Sequence, residues 1–275
     1  MSDPRPIGVF DSGLGGLTVA REIFRIMPNE RIVYLGDTAR CPYGGRSEET
    51  IKTFGVQDAR FLRNLDIKML VVACNTVSSV ALDAVEQCVK DMPVIGVVYP
   101  GARAAVLRTA EKKVGVIGTA ATIRTGSYAK AIQSIDPTIK VYGKACPLLV
   151  PLVEEGLIDN DITRLAVQHY IYEMIDLNVD CLILGCTHYP LLYETIQGTV
   201  GTRMQLLDSA LWTAKEAQDI LTALDALGPK GTKGLESSRF AVTDLTPQFE
   251  ELTKAFLGTP LPNIEKITLE DLIRS

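Results

Sequence analysis

Two cysteines stand out by their positions and by their neighbours. Cys74 opens the run Cys74-Asn75-Thr76, and Cys186 opens Cys186-Thr187-His188. Each ends a short apolar stretch and immediately precedes a helical pattern. A helix N-terminus carries unpaired N–H groups and partial positive charge, so thiols placed there are expected to have lowered pKa values and thiolate character. Asn75, Thr76, Thr187 and His188 would bring side-chain donors to the same two points, suited to holding a carboxylate. One strand-end cysteine is ordinarily a small core residue. A matched pair, each followed by polar residues, points instead to reactive thiols. His188, two residues from Cys186, could tune that thiol or donate a proton.

The remaining cysteines read differently. Cys88 falls on the apolar face of a helical pattern and Cys181 follows Asp180 at a strand's start, so both are structural. Cys41 and Cys146 each precede a proline in a turn and could be near a ligand, but neither has an obvious activating partner. His169 shares its helix face with Ile162, Leu165 and Ala166, which reads as an inward, packed histidine. The run Asp11-Ser12-Gly13-Leu14-Gly15-Gly16 leaves a strand and opens a helix, as an anion-binding turn could. It is not the dinucleotide fingerprint, because Thr18 stands where that motif needs its third glycine.

These residues need a scaffold, and the pattern supplies one. β-Branched strand candidates at Ile7–Asp11, Ile32–Gly36, Met69–Cys74, Val94–Val98, Val114–Thr119, Val141–Ala145 and Leu182–Cys186 alternate with amphipathic stretches. That is the signature of an α/β protein with mainly parallel sheets. Val77, Val80, Ala81, Ala84, Val85, Cys88 and Val89 trace one apolar face at helical period after Asn75. The chain also echoes itself. Gly8-Val9-Phe10-Asp11-Ser12 matches Gly115-Val116-Ile117-Gly118-Thr119, Cys41-Pro42 matches Cys146-Pro147, and the two reactive-cysteine segments come after them at nearly equal separation. Two pseudo-symmetric α/β halves are expected, 1–97 plus 212–275 and 98–211. In the last segment Phe240–Thr243 reads as a strand. Thr246-Pro247 reads as the cap and first residue of a helix carrying Phe249, Leu252 and Phe256 on one face, with Gly258 closing it. Gly228 to Ser238 reads as an exposed loop.

Bulk properties narrow the class. Of 275 residues 47% are hydrophobic and 22% charged, so the chain can bury a core, and its net charge of −5 with no basic stripe argues against nucleic acid. The apolar runs are too short to span a bilayer and the first residues lack a signal-peptide pattern, so a cytoplasmic protein without membrane association is expected. Six cysteines in a reducing compartment are then free thiols. No close pair has structural-zinc spacing, and only two histidines exist to complete such a site.

The motifs Gly8-Val9-Phe10-Asp11-Ser12-Gly13, Asp37-Thr38-Ala39-Arg40-Cys41-Pro42-Tyr43-Gly44, Ala73-Cys74-Asn75-Thr76, Gly115-Val116-Ile117-Gly118-Thr119 and Gly185-Cys186-Thr187-His188-Tyr189-Pro190 resemble bacterial glutamate racemase from end to end. The two cysteine motifs mark the wider aspartate/glutamate racemase superfamily, and the Asp37–Gly44 segment narrows the match. The resemblance implies a cofactor-free, metal-free racemase of L- and D-glutamate, serving peptidoglycan synthesis, commonly as a homodimer, with the site in the cleft between the two halves. It implies that Cys74 and Cys186 stand on opposite faces of the α-carbon, one thiolate removing the proton while the other thiol supplies one. It makes Asp11 the partner of Cys74, and His188 with Glu154 the partners of Cys186, with Glu155 the alternative to Glu154 if the register slips by one. Asp11, Ser12, Pro42, Tyr43, Gly44, Asn75, Thr76, Thr119, Thr122, Thr187 and His188 would hold the substrate. Few residues precede the first strand. Some members carry an N-terminal extension linked to activation by a cell-wall precursor, and that control is expected to be missing.

Three other readings stay open on the sequence alone. Another two-cysteine isomerase, such as an aspartate or hydantoin racemase, would differ in substrate. A cysteine hydrolase using Cys186 and His188 would leave Cys74 without a role. A non-enzymatic amino-acid binder would release glutamate unchanged.

Overall fold

A computed structural model describes residues 2–245 and 248–274. In chain order the elements are β1 (Ile7–Asp11), α1 (Leu17–Ile26), β2 (Ile32–Gly36), α2 (Glu48–Arg63), β3 (Met69–Val72), α3 (Asn75–Val80), α4 (Leu82–Cys88), β4 (Val94–Gly96) and α5 (Val98–Arg108). Next come β5 (Lys113–Gly118), α6 (Ala120–Thr125), α7 (Ser127–Ile135), β6 (Lys140–Ala145), α8 (Leu149–Glu154), α9 (Asp161–Asp176), β7 (Cys181–Gly185), α10 (Tyr193–Val200) and β8 (Gln205–Asp208). The chain closes with α11 (Ser209–Ala223), β9 (Arg239–Val242), α12 (Phe249–Leu257), β10 (Ile264–Lys266) and α13 (Leu269–Arg274).

The strands form a six-stranded sheet in the order β10-β9-β2-β1-β3-β4 and a four-stranded sheet in the order β6-β5-β7-β8. Every pairing among the described strands is parallel, as the alternation of strands and helices requires. Both sheets are covered on two faces, so their strands are apolar nearly throughout. In β1, Ile7 and Val9 enter a core that extends across both sheets, while Phe10 enters a cluster on the far face of the first. In β7, Leu182 and Leu184 face that shared core while Cys181 and Ile183 pack on the far face of the second. Period-two alternation thus survives inside continuous apolar runs. The two lobes share one core, and α11 joins them by packing on both α1 and α5.

β1 and β2 have the expected bounds, and the other expected strands differ at their ends by one or two residues; β3 and β5 stop short because Cys74 and Thr119 already cap helices α3 and α6. The apolar stretch after Asn75 is not one helix: Ala81, at φ −135° and ψ 10°, breaks it between α3 and α4. On α9 the inward assignment of His169 is reversed. Ile162 and Leu165 are largely exposed and so is His169, while Thr163, Val167, Tyr170, Ile171 and Met174 are buried. The face that the sequence pattern suggests is offset from the true one, since both carry apolar residues. Thr246 and Pro247 lie outside the described residues. The helix expected after them is there as α12, with Phe249, Leu252 and Phe256 buried and Gly258 closing it in a left-handed conformation. The strands β8 and β10 have no counterpart among the expected ones.

Candidate active site

Ligands of open parallel sheets bind beyond the carboxyl ends of the strands. Those ends of the two sheets face each other here. β1 delivers Asp11 and Ser12, β3 delivers Cys74 and the start of α3, and β7 delivers Cys186, Thr187 and His188. Between them lies one small cavity lined by Ser12, Cys41, Pro42, Tyr43, Gly44, Cys74, Asn75, Thr76, Thr119, Val150, Cys186, Thr187 and His188. Both thiols therefore border the same space from different lobes. Its volume is about 20 Å³, room for roughly one water, so the cavity must widen before an amino acid can occupy it. A wider recess of about 250 Å³ shares Cys41 and His188 with the cavity and is bounded outward by Glu154, Glu155 and the α12 residues Leu252 and Phe256.

The two thiols sit in different surroundings. Cys74 Sγ donates to Ser12 Oγ at 3.6 Å. Burial first, and then the charge of Asp11, push its pKa up to about 12. This reverses the expectation of a lowered value: α3 is only six residues long, and its terminal N–H groups do not offset the loss of water around the thiolate. Cys186 Sγ lies 3.9 Å from His188 Nδ1, and the chain after it forms a single 3-10 turn, Tyr189–Leu192, rather than an α-helix.

His188 is the centre of the charged network. Its Nε2 meets Glu154 Oε1 at 3.2 Å, and the same oxygen accepts from Cys41 Sγ at 3.4 Å. Burial alone would lower the imidazole's pKa, but the hydrogen bonds and charges of Cys186 and Glu154 outweigh it and raise the value to about 10. Glu154 is held below its usual range: burial opposes its charge, and His188 more than compensates. Of the two adjacent glutamates it is Glu154 that bonds the histidine, while Glu155 lines only the outer recess. Phe256 sets an edge-on contact against the His188 ring, with centroids 5.3 Å apart.

Asp11 stands behind the cavity wall. It is fully buried, and its oxygens accept from the N–H groups of Gly13 and Gly16 at 3.2 and 3.1 Å and from Thr187 Oγ1 at 3.5 Å. Burial raises its pKa against the opposing pull of His188 and these N–H groups. Its hydrogen bonds thus go to the glycine loop and to Thr187, and it acts on Cys74 through its charge. The loop glycines work by closeness. A Cβ on Gly15 would fall 2.3 Å from Thr187 Oγ1 and 2.8 Å from His188 Nδ1, so no side chain fits where β1 and β7 loops meet.

The remaining residues form the other wall. Thr119 Oγ1 lies 3.0 Å from both Thr76 Oγ1 and Thr122 Oγ1 and caps α6 by accepting from the Thr122 N–H. Thr122 is buried behind it and does not border the cavity. Tyr43 lends backbone rather than hydroxyl, since its O–H is committed to Asp37 and Asp58, which Arg40 also bridges. Gly44 O accepts from Ala121 N–H at 3.2 Å, tying the loop to the second lobe. Cys41, which its place before Pro42 marks as near a ligand, borders the cavity, while Val150 and, one layer out, Tyr128 complete the surroundings with no sequence signal to mark them. Among the described residues no group of three or more His, Cys, Asp or Glu side chains could hold a metal ion, and no helix is long and apolar enough to cross a membrane.

Residues 7–217 match the model of the Asp/Glu/hydantoin racemase family. The chain is 45% identical over 267 residues to the glutamate racemase of Chlorobaculum tepidum, and 46% identical over 266 residues to that of Geobacter metallireducens, each alignment spanning 97% of both chains. The crystal structure of glutamate racemase from Francisella tularensis in complex with D-glutamate superposes with a TM-score of 0.91 at 39% identity, covering 98% of this chain and 99% of that one.

Proposed function

The chain belongs to the Asp/Glu/hydantoin racemase family, and within it to the glutamate racemases; from that premise we propose that Cys74 and Cys186 invert glutamate as a pair of opposed thiols, with no cofactor. The observation that carries this reading is that one cavity is lined by Cys74 from the first sheet's side and by Cys186 from the second's. A lone base tends to return its proton to the face it came from, so inversion needs a second acid. One thiolate takes the α-proton while the other thiol delivers a proton from the far side, and the roles exchange in the reverse direction. The α-carbon is a weak acid, so the developing carbanion must be stabilised by preorganised donors in a water-poor space. Ser12, Asn75, Thr76, Thr119 and Thr187 are the hydroxyl and amide groups available for that and for holding the substrate's carboxylates and ammonium.

The two arms differ. Around Cys74 the neutral thiol is favoured until a substrate ammonium arrives to offset the charge of Asp11. Around Cys186 the protonated His188, held by Glu154, supplies the counter-charge for a thiolate and a source of its proton. We further assign the lobes as 1–97 with 212–275 and as 98–211, the working form as a cytoplasmic homodimer, and the product as D-glutamate for peptidoglycan.

The test is racemisation of L-glutamate in deuterated water without added cofactor, followed by circular dichroism and proton NMR. Loss of optical activity with deuterium entering the α-position, reduced at least about a hundredfold by either Cys74→Ala or Cys186→Ala, is expected. Turnover surviving Cys74→Ala would point to single-cysteine chemistry, and exchange with aspartate alone would move the substrate assignment. Restoring growth of a D-glutamate-requiring bacterium tests the physiological part.

A further inference from the structure

Asn75 is held by one end only. Its Oδ1 accepts from the Tyr128 hydroxyl at 2.6 Å. Its Nδ2 is buried and has no hydrogen-bond partner among the described residues, although Asn75 lines the cavity. The contact has the length of an O–H···O bond, with the phenol donating and the amide oxygen accepting. A buried donor without an acceptor is costly and rare in a native protein, so this N–H₂ calls for an acceptor supplied from the cavity.

Tyr128 comes from α7 in the other lobe, and it is fixed. A Cβ added to Gly101 would stand 3.2 Å from its Cε1, and one added to Gly185 would stand 3.4 Å from its Cε2, so the ring lies between two positions that carry no side chain. Only 2% of the residue is exposed. Burial also pushes the phenol's pKa up, so the hydroxyl stays a donor throughout the working range. Gly185 immediately precedes Cys186, and Asn75 immediately follows Cys74. One aromatic ring therefore spans from the segment of one thiol to the segment of the other.

We propose that Tyr128 is a positioning residue for the reaction: by holding Asn75 Oδ1, it aims Asn75 Nδ2 at a carboxylate of the bound amino acid. This rests on the reading of the cavity as the glutamate site. Without the hydroxyl the amide is free to turn, and in the turned state its oxygen faces the substrate's negative charge.

The experiment is a double-mutant cycle of Tyr128→Phe and Asn75→Ala, read as KM and kcat for glutamate in both directions, with thermal unfolding alongside. Tyr128→Phe is expected to raise KM about tenfold, with kcat, the pH profile and the unfolding midpoint close to those of the unmodified protein. Added to Asn75→Ala, it is expected to change nothing further. A KM within about twofold of normal in Tyr128→Phe overturns the proposal. So does an equal effect on both backgrounds, since a packing defect acts whichever residue stands at 75. If Asn75→Ala itself leaves KM unaltered, the assignment of Asn75 to the substrate is at fault, and the functional reading of this wall falls along with the proposal.

Discussion

His188 Nε2 and Glu154 Oε1 meet at 3.2 Å, and their pairing sets the charge of the one imidazole in the site. The histidine's other nitrogen faces Cys186 at 3.9 Å, so whatever charge the ring carries is felt by that thiol. Cys41 shares the Glu154 oxygen, which makes the carboxylate a common anchor for the loop after β2 and the loop after β7.

Glu154→Gln removes one of the two groups that raise the His188 pKa to about 10. The folded protein then loses the imidazolium at lower pH than before. The alkaline limb of kcat/KM should move to lower pH, by more in the direction that uses Cys186 as acid than in the other. A pH profile in both directions checks this, and an unmoved alkaline limb would count against His188 as the charged partner of Cys186.

Cys74, with its pKa pushed up to about 12, should add no thiolate absorbance at 240 nm below pH 9 in the free enzyme, judged by difference against Cys74→Ala. Asp11→Asn takes away a negative charge that raises this value, so the same titration should begin at lower pH even as turnover falls. If the onset shifts upward instead, Asp11 is not acting on the thiol through its charge.

Gly15→Ala should be far more damaging to catalysis than to folding. Its Cβ would press on Thr187 and His188 at distances no pair of atoms tolerates, and relief requires β1 and β7 loops to separate. A loss of about a hundredfold in kcat/KM is expected, because displacements near 1 Å are enough for that. Steady-state kinetics with a parallel unfolding curve distinguish this from general instability.

Lys68→Met tests the opposite end of the first sheet. Lys68 Nζ pairs with Glu30 at 2.6 Å, nearly without solvent, and also donates to the carbonyls of Asp3 and Ala226. Losing one partner of such a pair costs about 3–5 kcal/mol, and converting Glu30 to Leu in the same protein should recover much of it. Urea unfolding measures both. Turnover by the folded fraction should be unchanged, since the pair lies at the amino ends of the strands and the site at their carboxyl ends.

Legibility in the sequence depends on whether a signal is local. The strands that carry the thiols are short apolar runs, and the polar residues after Cys74 and Cys186 break those runs at the cavity. β8 and β10 escape detection because they are only four and three residues long: β8 has just Leu206 and Leu207 buried, and every residue of β10 is exposed. The face of α9 is deceptive because Ile162 and Leu165 are apolar yet exposed. Cys41 lacks a visible partner because Glu154 is 113 residues away, and Tyr128 meets Asn75 across 53. Such contacts exist only once the two lobes face each other, and one sequence carries no periodicity that reports them.

The strand order has a consequence for how the protein is made. The four strands of the second sheet lie consecutively in the chain, β5 through β8, so that sheet can assemble as soon as they leave the ribosome. The first sheet has to wait: β1 to β4 are synthesised early, yet β2 keeps an open edge until β9 and then β10, which follow the whole second sheet in the chain, arrive. The lobe that holds Cys74 thus begins before the other and is completed after it. During that interval an apolar parallel edge is exposed to any other nascent strand, which makes the closing residues a guard against misassembly as much as a part of the fold.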